Sequence, residues 1–81
     1  MDERIKRAFA RGLRLKKDEA EKLSDSSSVN NVSVWDSLGH MSLILAFETE
    51  FGISIAPLEA IELSNIVQIK KMLSKKGIQV T

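Results

Sequence analysis

The chain has 81 residues, enough for one small domain, which we expect to span residues 1–81. Hydrophobic residues make up 43% of it and aromatic residues only 5%, so the core must be mainly aliphatic. The lack of cysteine excludes disulfides and thiolate chemistry, and no apolar run reaches the length of a signal peptide or a membrane span. We therefore expect a cytoplasmic protein that does not insert into membranes.

The net charge of +1 conceals a separation of charge along the chain. Residues 1–31 carry eight Lys or Arg against six acids, and residues 70–81 carry four Lys and no acid. Residues 32–69 contain no Lys or Arg, and their acids are Asp36, Glu48, Glu50, Glu59 and Glu62. This middle segment should attract partners with basic surfaces.

The first third of the chain predicts one helix and one long loop. Apolar residues at helical spacing predict a helix from Asp2 to about Leu13, in which Gly12 weakens the last turn. A short helical turn can form between residues 15 and 23, and the polar run at 24–31 is typical of a loop. The valines that should hold this loop against the core are Val29, Val32 and Val34.

The second predicted helix runs from Ser37 to about Phe51, with Asp36 as its N-cap and Gly52 as the left-handed residue after its end. Trp35 precedes the cap, where it can act as a hydrophobic staple. Two apolar stripes follow. The stripe expected in the core is Leu43, Phe47 and Phe51, and the stripe expected at the surface is Met41 and Leu45, beside Glu48.

Two further helices complete the chain. Pro57 should open a short helix from about residue 58 to 62, because proline suits the first helical position. Ser64 can cap the last helix, which Gly77 ends. The residues of this helix expected to face inward are Ile66, Ile69, Met72 and Leu73.

Ser37 is the best candidate for a working residue, because the start of a helix leaves its hydroxyl facing solvent. A group attached there meets unpaired N–H donors and the positive end of the helix dipole, which suit a phosphate ester. Gly39, which is costly inside a helix, favours the close approach of something external.

Three segments resemble the acyl carrier protein family: Asp36-Ser37-Leu38 with its following helix, Glu48-Thr49-Glu50-Phe51-Gly52-Ile53-Ser54-Ile55 at the end of that helix, and Leu63-Ser64-Asn65-Ile66. The resemblance covers roughly Ile5 to Leu73. It implies a monomeric, all-α, four-helix bundle with three major helices and one short helix. By the same resemblance, Ser37 carries 4′-phosphopantetheine, and Asp36, Leu38, Gly39 and His40 surround the attachment site.

The resemblance also implies partners and a function. A phosphopantetheinyl transferase would move the arm from coenzyme A to Ser37, and the arm would hold an acyl or aminoacyl group as a thioester for synthases, ligases or transferases. Partners would contact Asp36, Met41, Leu45 and Glu48. A partial apolar cavity would be lined by residues such as Phe47, Ile61 and Leu63. Pathways of this kind make fatty acids, polyketides or specialised lipids.

Several alternatives stay open at this point. Acids sparser than in typical fatty-acid carriers point to an aminoacyl or peptidyl carrier, and His40 could equally be an exposed residue with no special task. Outside the class, the chain could be an unmodified helical interaction domain. Nucleic-acid binding through the basic first helix is disfavoured, because acids interrupt it and no stacking aromatics accompany it. A catalytic triad of Asp36, Ser37 and His40 is disfavoured, because these residues come without a strained elbow or an oxyanion hole. A metal site is improbable, because the chain has one histidine and no cysteine.

Overall fold

The computed structural model describes residues 1–80, and Thr81, the last residue of the predicted domain, lies outside them. The helices, in chain order, are α1 (Glu3–Leu13), α2 (Lys17–Glu21), α3 (Ser37–Phe51), α4 (Pro57–Glu62) and α5 (Ile66–Lys75). Residues 1–80 contain no β-strand, which confirms the predicted all-α class. The helix count is five rather than four, because the short turn expected after α1 forms a helix of its own. Among the described helices, none has the length and hydrophobicity needed to cross a membrane.

Most helix boundaries follow from the capping residues in the sequence. Asp2 and Asp36 cap α1 and α3 by accepting hydrogen bonds from the backbone N–H groups of the first turn. Pro57 is the first residue of α4, as predicted. For α5 the prediction was wrong: the cap is Asn65, whose Oδ1 accepts the Gln68 N–H at 2.8 Å, and not Ser64. Asn65 directly precedes the first helical residue, where an amide oxygen is among the best caps.

The core lies between α1, α3 and α5. It is mostly aliphatic, as the composition predicts, and its fully buried side chains are Ile5, Phe9, Leu43, Phe47, Ile66, Ile69 and Leu73. Gly12 has a role that the sequence did not indicate, because a Cβ built on it would lie 2.6 Å from the Leu43 Cα. The glycine therefore lets the backbones of α1 and α3 come into contact, and this contact explains a residue that seemed only to weaken α1.

The loop between α2 and α3 is fixed at two places. The middle of the loop is hydrogen-bonded to the segment between α4 and α5, where the Val29 N–H donates to the Ser64 carbonyl at 3.0 Å. Its end is anchored by Trp35, which is only 2% exposed and packs edge-on against Phe9. Val32 packs against the core, but Val29 and Val34 are exposed, which corrects the expectation that all three valines are buried. Backbone hydrogen bonds and Trp35 hold the loop instead.

Candidate functional site

Ser37 is the first residue of α3 and is exposed, as predicted. Its hydroxyl makes no hydrogen bond with any residue from 1 to 80. Asp36 accepts the Gly39 N–H at 2.8 Å through Oδ1 and the His40 N–H at 2.7 Å through its carbonyl. The N–H groups of Ser37 and Leu38 have no acceptor within the described residues, so the start of α3 keeps donors free beside the serine hydroxyl.

Gly39 is required by a close contact inside the fold. A Cβ built on it would lie 2.3 Å from the Val34 carbonyl oxygen and 3.0 Å from the Leu13 Cδ2. Glycine is therefore needed because the preceding loop passes directly over the first turn of α3. This internal contact accounts for the glycine, and the assignment of Gly39 to the attachment site stays a prediction.

His40 bridges three parts of the fold. Its Nδ1 lies 2.9 Å from the Trp35 Nε1, which donates, and its Nε2 lies 2.7 Å from the Ala60 carbonyl oxygen in α4. The ring planes of Trp35 and His40 are nearly parallel, at 18°, and their centroids are 6.2 Å apart, so the rings lie edge to edge along their hydrogen bond. Both ring nitrogens are thus engaged within the protein. His40 therefore holds the wall of the groove together, and because it also lines the groove with Ser37, its position beside an attached group stays a prediction.

An open groove of about 610 Å³ lies beside Ser37, between the start of α3 and α4. Its walls are mainly apolar, and its lining residues are Val29, Trp35, Asp36, Ser37, His40, Met41, Ile61, Leu63 and Ser64. Ile61 and Leu63 were expected to line a cavity, and they do. Phe47 was expected with them, but it is buried in the core, where it packs against Phe9 and Phe51.

Exposed apolar side chains lie on α3 and α4, the two helices that border this groove. On α3 they are Leu38, Met41 and Leu45, which are 79%, 67% and 64% exposed and share one side of the helix. On α4 they are Leu58 and Ile61, at 78% and 75%. We call these five residues the apolar face. The sequence predicted that Met41 and Leu45 are exposed, but it did not predict this for Leu58 and Ile61. Their spacing of three residues places both on one side of α4, and a helix this short cannot bury both of its sides.

Most acids of the middle segment are occupied within the fold. Glu48, expected to contact partners, accepts the Ile55 N–H at 2.8 Å, and Glu50 forms an ion pair with Arg7. Glu59 accepts the Ala56 N–H and pairs with Lys76, and these two contacts, in that order, lower the pKa of its carboxyl. Among residues 1–80, only Asp36 and Glu62 remain as exposed acids of this segment without an ion pair. The acidic character available to a partner is therefore weaker than the sequence indicates.

No three His, Cys, Asp or Glu side chains of residues 1–80 come together in a way that could hold a metal ion. No model of a known protein family matches the chain, and a search of curated proteins also finds no match. Function must therefore be inferred from the serine, the groove and the apolar face themselves.

Proposed function

We propose that this protein is a carrier, in which Ser37 bears a 4′-phosphopantetheine arm that a phosphopantetheinyl transferase delivers from coenzyme A. The observation that carries the proposal is the position of Ser37: an exposed serine with an unbonded hydroxyl opens a 15-residue helix at the edge of an apolar groove. An acyl-carrier-like helical bundle, with α1, α3 and α5 as major helices, is the architecture we propose for it.

The residues around Ser37 fit the two chemical parts of such an arm. A phosphodiester on its hydroxyl would gain from the free N–H groups of Ser37 and Leu38 and from the positive end of the α3 dipole. The Asp36 carboxylate opposes the phosphate, but its charge is partly satisfied by the Gly39 N–H. The less polar remainder of the arm suits the groove walls formed by Met41 and Ile61. When attached, the arm supplies a thiol on which an acyl group can be carried.

Partner enzymes would dock on the apolar face, because an exposed apolar surface around a modification site is typical of an interaction surface. Buried apolar anchors determine how long a complex lasts, and charges at the rim mainly set the association rate. Met41 and Leu45 keep the partner role assigned to them. Asp36 and Glu62 are better rim charges than Glu48, whose carboxylate holds the Ile55 N–H.

The proposal is tested by the intact mass of the protein after incubation with coenzyme A and a broad-specificity transferase. We expect one arm on the wild type and on Ser42→Ala, a matched control because Ser42 is the other exposed serine of α3. Ser37→Ala should remain unmodified with its far-UV circular dichroism unchanged. Addition to Ser37→Ala, or failure to modify the wild type, would overturn the proposal.

An aminoacyl or peptidyl carrier is the second candidate within this class. The observation in its favour is the small number of free acids around the groove, together with the net charge of +1. The two candidates differ in cargo and not in attachment chemistry. Protein purified from its own cells should carry an added mass on Ser37 whose size and nitrogen content distinguish an acyl from an aminoacyl group.

A further inference from the structure

We propose that Trp35, His40 and Ala60 form a proton-sensitive latch, which holds α4 against the start of α3 while the imidazole is neutral and releases α4 when it is protonated. The latch is a property of the fold and needs no attached group. Its consequence, a groove beside Ser37 that changes shape with pH, rests on the proposed function.

The two hydrogen bonds of His40 are compatible with only one state of its ring. The Trp35 indole can only donate, so Nδ1 must present a lone pair at 2.9 Å. The Ala60 carbonyl can only accept, so Nε2 must carry the proton at 2.7 Å. These requirements define the neutral Nε2–H tautomer. Trp35 is only 2% exposed, so little water can replace Nδ1 as the acceptor.

Protonation would remove the first of these bonds. A proton taken from water would occupy the Nδ1 lone pair, and two N–H groups would then face each other where one hydrogen bond had been. The indole N–H would lose its acceptor in a buried position, so the ring must turn away or Trp35 must move. Turning the ring also breaks the contact between Nε2 and the Ala60 carbonyl.

Apart from the packing of Ala60 against the core, few contacts hold α4. None of its six residues is fully buried, and Glu59 forms an ion pair with Lys76, the residue that follows α5. Ala60, which receives the His40 bond, precedes Ile61, one of the groove walls. Loss of the His40 bond therefore acts directly on the segment that shapes the groove.

The charged surroundings of His40 are simple. Within the described residues, Asp36 is the only other titratable side chain lining the groove. On α4, Glu59 and Glu62 line a different groove, together with Lys71 and Lys75 of α5. α1 contributes Phe9 to the packing of Trp35 and no charged side chain to the groove lining. A pH response can therefore be assigned by changing His40 and Asp36 in turn.

The chain has one Trp and one His, so each gives an unambiguous NMR signal. We expect the Trp35 indole N–H resonance of the unmodified protein to shift in a single transition when the solution is acidified and His40 takes up a proton. The amides of Ile61 and Leu63 should shift with the same midpoint. His40→Gln should abolish this shared transition. Asp36→Asn should still show the transition, because asparagine can also cap α3. An indole signal that does not change, or one that changes equally in His40→Gln, would overturn the latch.

The ring nitrogens of His40 in the wild type provide a test that needs no variant. Their chemical shifts should report the neutral Nε2–H tautomer at about pH 8. The Nδ1–H tautomer would overturn the latch even if His40→Gln failed to fold. Both measurements use protein without an arm, so their outcome is independent of whether a transferase modifies Ser37. Failure of modification would instead overturn the proposed function alone.

Discussion

Trp35 and His40 lie on either side of the N-cap of α3 and are joined by a hydrogen bond. The indole N–H donates to the imidazole Nδ1 at 2.9 Å, and the two nearly parallel rings, at 18°, lie edge to edge along this bond. Trp35 precedes the cap and His40 is the fourth helical residue, which are the positions of a hydrophobic staple. Trp35 therefore staples the start of α3 from the predicted position, but through a hydrogen bond with a histidine and not through the hydrophobic contact that was expected.

The hydrogen bond in this staple should contribute to stability. Trp35→Phe keeps an aromatic ring against Phe9 but leaves Nδ1 of His40 without its donor. We expect a loss of about 1–3 kcal/mol in the free energy of unfolding, typical of removing one partner of a buried hydrogen bond. Urea unfolding followed by far-UV circular dichroism measures it, since the variant lacks tryptophan fluorescence. A variant as stable as the wild type would show that the bond contributes nothing.

Gly39→Ala tests whether the loop really passes over the first turn of α3. Helix propensity alone would favour alanine by about 1 kcal/mol. The new Cβ would lie 2.3 Å from the Val34 carbonyl oxygen, so the loop must shift, and we expect net destabilisation of about 1–3 kcal/mol. Ser42→Ala, on the exposed side of the same helix, is the matched control and should be neutral or slightly stabilising. Stabilisation by Gly39→Ala would contradict the close contact.

Truncating side chains of the apolar face should weaken binding of the transferase, whereas truncating the buried stripe of α3 should lower stability. Leu43 is completely buried, and Leu43→Ala should cost about 2–5 kcal/mol of unfolding free energy. Met41→Ala and Leu45→Ala should each change stability by less than about 0.5 kcal/mol, because both side chains are exposed. The two exposed variants should instead bind the transferase more weakly, with faster dissociation in a surface-binding assay. A stability loss like that of Leu43→Ala at either position would place it in the core.

Glu48 and Glu62 differ in what their carboxylates do. Glu48→Gln weakens the bond to the Ile55 N–H, and we expect destabilisation of about 1 kcal/mol. Glu62→Gln should leave the melting temperature unchanged but slow association with a basic transferase at low salt, an effect that higher salt removes. The reverse pattern, with Glu48→Gln affecting only association, would restore Glu48 as a partner residue.

The helices could be predicted from the sequence because their signals are local. Asp36 and Gly52 bound α3, Pro57 opens α4, and the buried positions of α3 and α5 repeat at helical spacing. The error at the start of α5 is one residue, between Ser64 and its neighbour Asn65, since both residue types can cap a helix.

The details of the site could not be predicted, because they depend on contacts between distant segments. His40 meets Ala60 twenty residues later, and no local pattern indicates that a histidine bonds a carbonyl there. Gly39 is explained by Val34, a loop residue whose path follows from the burial of Trp35. Glu48 is explained by Ile55, which returns to it after the end of α3. Spacing places these residues on α3 but does not say what they contact.

The central claim is that Ser37 is the attachment site, and mapping the modified residue in the wild-type protein tests it most directly. Cleavage before aspartate, followed by cyanogen bromide cleavage after methionine, releases the fragment from Asp36 to Met41, in which Ser37 is the only serine. After incubation with coenzyme A and a transferase, this fragment should carry the whole added mass of one phosphopantetheine. Ser42 lies in the next fragment, from residue 42 to 72. An arm found there, or on any fragment other than 36–41, would contradict the assignment of Ser37.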